Sequence, residues 1–220
     1  MKNLTKLSGL TLSILLLACG AAENASALGP SRPSPPPPPA PPPSSEIALA
    51  ASGGTGCPAD TALALVTTSE RGEKVLTVST SQYTATLSSR TEAKLERKSC
   101  ALTVSASEVP ANHRVVIAKT LLLGAVELAA GASAQAAVEA FLPGGTGPKL
   151  STSLGSLDDE VSDALVLELS EPVATLCGET SGILRVNTSL VLKREERLLR
   201  DSTARIDSIA LILKTEPCSL

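Results

Sequence analysis

The stretch that decides the fold is Leu-Arg-Val-Asn-Thr-Ser-Leu-Val-Leu-Lys, residues 184–193. Every second residue from Leu184 to Leu192 is aliphatic or threonine, and the residues between them are mostly polar or charged. Side chains alternate between the two faces of a β-strand, so a period of two predicts a strand with one buried face.

The same period recurs elsewhere in the chain. It is clearest in residues 100–106, 165–170 and 208–213, and weaker in residues 62–67, 73–79, 82–88, 114–127 and 132–142. Glycine clusters, Pro110 and Pro172 separate these segments. Eight or nine short strands predict an all-β fold, an antiparallel β-sandwich with a jelly-roll-like arrangement.

Three segments are ambiguous. The alanine-rich residues 129–140 favour a helix by propensity, but we interpret them as a strand of small residues. We interpret residues 114–127 as a buried strand pair, because Lys119 and Glu127 interrupt the apolar run. The charged residues 88–98 and 193–200 are candidates for exposed helical turns.

Composition excludes several classes of function. The net charge is −3, so the chain has no excess of basic residues to neutralise phosphates, which argues against a nucleic-acid partner. Aromatic residues make up 1% of the chain, and Tyr83 and Phe141 are the two present. The core must therefore consist of aliphatic side chains, and there are few aromatic surfaces on which bases or sugars can stack.

The amino terminus has the features of an export signal. Lys2 and Lys6 precede an apolar stretch, residues 7–18, that is too short for a membrane-spanning helix of about 20 residues. Residues 16–19, Leu-Leu-Ala-Cys, resemble the bacterial lipoprotein box. This resemblance implies cleavage before Cys19 and lipidation of Cys19. The lipid then anchors the protein to its partner membrane. We expect this to be the outer membrane, with the protein on its periplasmic side or at the cell surface.

A proline-rich linker follows. Residues 33–43 are almost entirely proline, which enforces polyproline II geometry and spans roughly 34 Å at ~3.1 Å per residue. We therefore predict a signal peptide at 1–18, a lipid anchor and disordered linker at 19–52, and a β-sandwich domain at 53–220. The linker holds the domain away from the membrane.

Four cysteines remain after Cys19: Cys57, Cys100, Cys177 and Cys218. An even number in an exported chain indicates two disulfides. Three connectivities are possible, and we favour the sequence neighbours, Cys57 with Cys100 and Cys177 with Cys218. A metal site made of the four thiolates is disfavoured, because no two of these cysteines have the C-x-x-C spacing.

Several motifs together resemble a known family. They are Gly-Gly-Thr-Gly-Cys-Pro at 53–58, Lys-Ser-Cys-Ala-Leu at 98–102, Leu-Arg-Val-Asn-Thr-Ser-Leu at 184–190, and the cysteine at 218. In this order the chain resembles the secreted proteins grouped as domain of unknown function 4360, over about residues 53–218. The resemblance implies export and a cysteine-bridged β structure, with no assigned activity. Residues 209–214 are aliphatic where that family usually has aromatic residues.

No motif predicts catalysis, a metal or a cofactor. The acidic residues Asp158, Asp159, Glu160 and Asp163 lack the spacing of an EF-hand, so we interpret them as a solvated loop. His113 is interpreted as a surface-loop residue because no Gly-x-Ser-x-Gly motif accompanies it.

Paired carboxylates for glycoside hydrolysis, such as Glu168 and Glu171, lack aromatic neighbours for a sugar. The sequence thus favours a non-enzymatic structural or interaction module of the cell envelope, with an envelope protein as a possible partner. The alternatives are a lipoprotein with a ligand groove between the sheets, and a hydrolase that uses His113 or carboxylates.

Overall fold

Twelve β-strands and no helix are found in the part of the chain that the computed structural model describes, residues 45–155, 157–195 and 199–218. The strands are β1 (Glu46–Gly53), β2 (Leu63–Thr68), β3 (Lys74–Ser79), β4 (Thr84–Leu87), β5 (Leu95–Ser107), β6 (His113–Leu128), β7 (Ala132–Phe141), β8 (Lys149–Gly155), β9 (Val161–Leu169), β10 (Val173–Ala174), β11 (Gly182–Arg194) and β12 (Ser202–Pro217). The predicted signal peptide, the predicted lipidation at Cys19 and the linker up to residue 44 lie outside the described residues.

The strands form two antiparallel sheets. The five-stranded sheet has the order β1-β5-β11-β7-β8. The seven-stranded sheet has the order β10-β6-β12-β3-β2, with β9 also paired to β6 and β4 also paired to β12. The chain passes from one sheet to the other at most of its connections, which gives the predicted jelly-roll-like sandwich.

The predicted alternation places the core between the sheets. Leu184, Val186, Leu190 and Leu192 are fully buried, whereas Arg185 on the other face of β11 is exposed. The core is a contiguous cluster of mainly aliphatic side chains contributed by both sheets. Burial of these side chains contributes about 25 cal/mol per Å² of apolar surface removed from water.

Small residues fill one layer of this core. The buried residues of β7 are Ala132, Ala134, Ala136, Val138 and Ala140. The prediction of a strand for the alanine-rich segment is therefore confirmed. Alanine's helix propensity is overridden because β7 pairs along its length with β11 on one side and with β8 on the other.

The predicted strand pair at residues 114–127 is wrong, because β6 is one continuous strand. Lys119 and Glu127 do not interrupt it, since both are exposed on its outer face. The register against β12 shifts between Ile212 and Leu213, so that Ala118 is an extra residue on β6. This β-bulge shifts the alternation by one residue, so that Val115 and Ile117 are buried before it and Thr120 and Leu122 after it.

The candidate helical turns are not found in the described parts of residues 88–98 and 193–200. Residues 95–98 are the start of β5, and Lys193 and Arg194 are the end of β11. The two ends lie side by side, because Leu95 pairs with Lys193. These residues are strands because β5 and β11 pair with each other. The charges in each segment alone do not reveal this pairing.

Pairing also extends the body before its predicted start at residue 53. The first strand, β1, begins at Glu46 and pairs with β5 from Ser107 to Ala101. Ile47 is 7% exposed and belongs to the core. The low-complexity composition of residues 46–52 conceals this strand, because an edge strand needs few apolar side chains to pair through its backbone.

Candidate functional site

The outer face of the five-stranded sheet contains a hollow of about 440 Å³. We call it the sheet-face hollow. One row of paired residues crosses it from strand to strand: Gly53, Ala101, Asn187, Glu139 and Lys149. These residues come from β1, β5, β11, β7 and β8, so the hollow extends across all five strands of the sheet, from one edge to the other.

The hollow exists because the side chains above its floor are small. The next row of paired residues is Ser99, Ser189 and Ala137. Cys100, Val138 and Thr188, whose side chains are buried, also line the hollow between these short side chains. A Cβ added at Gly53 would meet no atom within 4 Å, so this glycine leaves open space at one side.

Polar groups of both charge signs surround this space. Arg97 and Lys149 supply cations, Glu139 supplies a carboxylate, and Asn187 supplies an amide. The hollow is neither enclosed nor flat, so a ligand can reach these groups from solvent. The arrangement can hold a polar ligand by charge-assisted hydrogen bonds and by the donor and acceptor of the amide.

The position of the hollow differs from the predicted alternative. That alternative placed a ligand groove between the sheets, but apolar side chains pack there as the core. Asn187, which matches a glycosylation sequon, was predicted to occupy a strand. It does so, and its side chain lies on the exposed face beside the hollow.

His113 has surroundings that differ from those of a general base. Its Nδ1 lies 2.9 Å from the carbonyl oxygen of Ala111, and its own carbonyl accepts a hydrogen bond from Gly178. Within residues 45–155, 157–195 and 199–218, no hydrogen bond joins this imidazole to a serine or a carboxylate.

The acidic residues near β9 serve local contacts. Glu160 pairs with Arg200 at 3.1 Å, and Asp163 accepts the backbone N–H of Ala164. No group of three or more His, Cys, Asp or Glu residues suited to a metal ion occurs among the described residues.

Glu168 is held as a carboxylate on the outer face of the seven-stranded sheet. Lys119 donates a hydrogen bond to it at 2.7 Å, and Ser170 donates a second at 2.8 Å. These contacts, that of Lys119 above all, lower the pKa of Glu168 below its ordinary value. A lowered pKa is the opposite of what a general acid for glycoside hydrolysis needs.

The two predicted disulfides are present with the favoured connectivity. Cys57 bonds to Cys100, and Cys177 bonds to Cys218. The first bridge is buried, and it fastens the loop after β1 to β5. The second bridge lies nearer the surface, and it joins the loop after β10 to the residue after β12. Two disulfides indicate a protein that is exported from the cytosol.

Among the described residues, none belongs to a helix with the length and hydropathy needed to cross a membrane.

Sequence reasoning missed the sheet-face hollow. The alternation in residues 184–193 does place Asn187 and Ser189 on the outer face. However, nothing in a single strand reveals that Ser99 and Ala137 lie opposite Ser189 on the neighbouring strands. The hollow depends on this cross-strand register.

Comparison with known proteins identifies one family. The family model described as Domain of unknown function (DUF4360) matches residues 43–216. Comparison with curated proteins gave no significant match.

Two solved structures show a distant likeness to this chain. The structure of TmCBM61 in complex with β-1,4-galactotriose has 14% identity and a TM-score of 0.32, covering 70% of this chain and 88% of that chain. The enzymatically active domain of Bacteriophage CBA120 tailspike protein 4 has 9% identity and a TM-score of 0.23, covering 76% of this chain and 19% of that chain. Both TM-scores are below 0.5, so neither structure indicates a function for this chain.

Proposed function

The chain belongs to the family of the domain of unknown function DUF4360, and we propose that it is a lipid-anchored interaction module of the cell envelope, which binds a polar ligand in the sheet-face hollow without chemically converting it. The hollow, with cationic, anionic and amide groups on rigid strands, is the observation that carries this proposal. Its volume of about 440 Å³ falls within the ~300–1,000 Å³ range of ligand pockets.

The lining suggests the class of ligand. Arg97 and Lys149 suit a carboxylate, Glu139 suits an ammonium group, and Asn187 suits an amide. A short peptide carries all three of these groups. We therefore propose a peptide-like ligand, and a neutral glycan is the second class to compare.

Anchoring at the membrane is the other part of the proposal. Support comes from the Leu-Leu-Ala-Cys box at 16–19 and from the disulfides of an exported domain. The acyl chains on Cys19 hold the protein at the membrane, since stable anchoring needs more than one chain.

A binding experiment tests the role of the hollow. The mature protein is titrated with short zwitterionic peptides and with neutral oligosaccharides, and the backbone amide shifts are followed by NMR. Peptide-induced shifts that cluster around Asn187 and are lost in Gly53→Leu support the proposal. Ser153→Leu is the matched control, because Ser153 is exposed on the same sheet but does not line the hollow. Shifts that are absent, or that survive Gly53→Leu, contradict it.

A separate experiment tests the anchor. The full-length protein and its Cys19→Ser variant are expressed in a bacterium that processes lipoproteins, and membranes are separated from soluble protein. We expect Cys19→Ser to move the protein to the soluble fraction, and equal membrane recovery of both would contradict lipid anchoring.

A further inference from the structure

The strand β2 is an unprotected sheet edge. It reads Leu-Ala-Leu-Val-Thr-Thr, it contains no charge and no proline, and all six of its residues are exposed. Leu63 is 75% exposed and Leu65 is 64% exposed. The unpaired side of an edge strand with this composition readily pairs with another strand, and proteins usually protect such edges.

The other sheet edges of the described chain carry such protection. The strand β1 has a register irregularity between Leu49 and Ala51, and β8 begins with Lys149. The strand β9 carries Asp163 and Glu168. The amide of Thr86 on β4 is occupied, because it donates to the carboxylate of Glu96 at 2.7 Å. The strand β10 is only two residues long, Val173–Ala174. Among the edge strands of the described chain, β2 is the longest that has neither a charged residue nor a register irregularity.

The pairing with β3 determines which groups of β2 are free. Ser69 donates its N–H to the carbonyl of Glu73 at 2.8 Å, in the turn that joins β2 to β3. Since antiparallel pairs alternate, Leu63, Leu65 and Thr67 direct their backbone groups toward β3. Ala64, Val66 and Thr68 then direct their N–H and C=O groups away from the sheet.

We propose that β2 pairs antiparallel with β2 of a second copy of this chain, so that the two seven-stranded sheets become continuous. This inference concerns a different surface from the sheet-face hollow and goes beyond the proposed function. A two-fold axis at Ala64 lets the Ala64 N–H of each copy donate to the Ala64 carbonyl of the other. The same axis places Leu63 of each copy opposite Leu65 of the other, on one face of the joined sheet.

Symmetry favours a second copy over a foreign strand. The β2 edge carries no charge, so two copies of it can approach without placing like charges opposite each other. A contact related by a two-fold axis needs a single self-complementary patch, and here the patch matches leucine to leucine. A foreign strand would have to supply both aliphatic side chains in the same register.

The size of the edge limits its strength. Six residues bury less than the ~800 Å² per partner of a standard stable interface, so we expect a weak, concentration-dependent dimer in solution.

The test follows the self-association of the mature protein by sedimentation equilibrium, and amide hydrogen exchange over a range of protein concentrations. We expect dimerisation together with slower exchange of the Ala64 and Val66 amides as the concentration rises. Ala64→Pro removes the outward N–H without touching the β3 ladder and should weaken the dimer about tenfold or more. A protein that stays monomeric, or a dimer that Ala64→Pro leaves intact, would overturn the proposal.

A second variant guards against misfolding of the proline variant. Leu65→Lys places a charge opposite Leu63 of the other copy and should also abolish the dimer. Leu123→Lys is the matched control, because Leu123 is exposed on the same face of the same sheet but lies on β6, away from the edge. Equal loss of the dimer in Leu65→Lys and Leu123→Lys would point to face packing instead and refute edge pairing, as would amide protection that appears only when a foreign peptide is added.

Discussion

The hydroxyl of Tyr83 lies 2.8 Å from the hydroxyl of Thr188 in the interior of the sandwich. Thr188 also donates to the carbonyl of Cys100 at 3.3 Å, so Tyr83 is the donor in the first hydrogen bond. Tyr83 immediately precedes β4 of the seven-stranded sheet, whereas Thr188 belongs to β11 of the five-stranded sheet. One short chain of hydrogen bonds therefore connects the two sheets through a mainly apolar core.

Tyr83 should make the fold sensitive to alkali. Its burial raises the pKa of its phenol above the ordinary value near 10. The unfolded chain loses this proton first, so the free energy of unfolding should fall as the pH rises above about 10. Because the chain has one tyrosine and no tryptophan, tyrosinate absorbance reports this residue alone. We expect that absorbance to appear together with unfolding, and an earlier appearance in the folded protein would contradict the prediction.

The variant Tyr83→Phe separates the hydrogen bond from the titration. At neutral pH it should lower the free energy of unfolding by about 1–2 kcal/mol, because the hydroxyl contact with Thr188 is lost. Above pH ~10 the difference from wild type should shrink, since phenylalanine has no proton to lose. Denaturant unfolding at both pH values measures this, and a constant difference would argue against the role of ionisation.

Gly56 and Gly53 should respond differently to the same substitution. A Cβ at Gly56 would lie 2.4 Å from a ring carbon of Tyr83, which is itself buried and cannot move aside easily. We expect Gly56→Ala to cost roughly 1–3 kcal/mol of stability through overpacking. Gly53→Ala is the matched control, since a Cβ there meets nothing within 4 Å and should change the melting temperature little. Equal effects of the two variants would show that the ring yields.

The two disulfides should differ in their resistance to reduction. Cys57 and Cys100 are each 1% exposed, whereas Cys177 is exposed and Cys218 is half-buried. A mild thiol reductant should therefore open the Cys177–Cys218 bridge first, because attack needs access to a sulfur. Alkylation followed by mass spectrometry identifies the freed cysteines, and release of Cys57 and Cys100 first would contradict this order.

Loss of the second bridge should lower stability measurably. It closes a sequence separation of 41 residues, for which the loop-entropy model gives roughly 4 kcal/mol. We expect the double variant Cys177→Ser with Cys218→Ser to melt several degrees below wild type, and an unchanged melting temperature would mean that the bridge adds nothing to the fold.

Asp201 should contribute stability that disappears in acid. Its carboxylate accepts the backbone N–H of Ser89 at 2.7 Å and hydroxyl bonds from Ser89 and Ser88. These contacts, the backbone bond first, lower the pKa of Asp201 below its ordinary value. The contribution is therefore present above pH ~4 and is lost as the pH falls through the lowered pKa.

The variant Asp201→Asn measures that contribution. It should reduce the melting temperature at neutral pH and approach wild type in strong acid, whereas Asp60→Asn serves as an exposed control without these partners. A difference that persists undiminished at low pH would exclude the carboxylate charge as its source.

Features that depend on residues close together in sequence could be predicted, whereas features that depend on pairing between distant strands could not. Local alternation was sufficient for β11 and β9, where leucines and polar residues have a strict period of two. The cysteine count indicated two disulfides but left three connectivities open, and the favoured pairing of sequence neighbours is the one found. By contrast, β8 was not predicted, because its alternation is short, with Leu150, Thr152 and Leu154 only, and the strand is held by pairing with β7.

The candidate site lies beyond local patterns for the same reason. Asn187 and Glu139 lie on different strands, 48 positions apart in sequence, and come together only through the register of β11 on β7. Small residues such as Ala137 and Ser189 carry no chemical signal of their own. The hollow forms because these side chains are small, and it can be recognised only once the neighbouring strands are placed side by side.

The central position of β12 has a consequence for the order in which the molecule matures. The strand pairs with β6 on one side and with β3 and β4 on the other, although it follows all of them along the chain. During synthesis β3, β4 and β6 cannot pair with β12 until it has been made, and such long-range contacts form late in folding. The seven-stranded sheet is therefore completed only after every strand of the five-stranded sheet has already been synthesised.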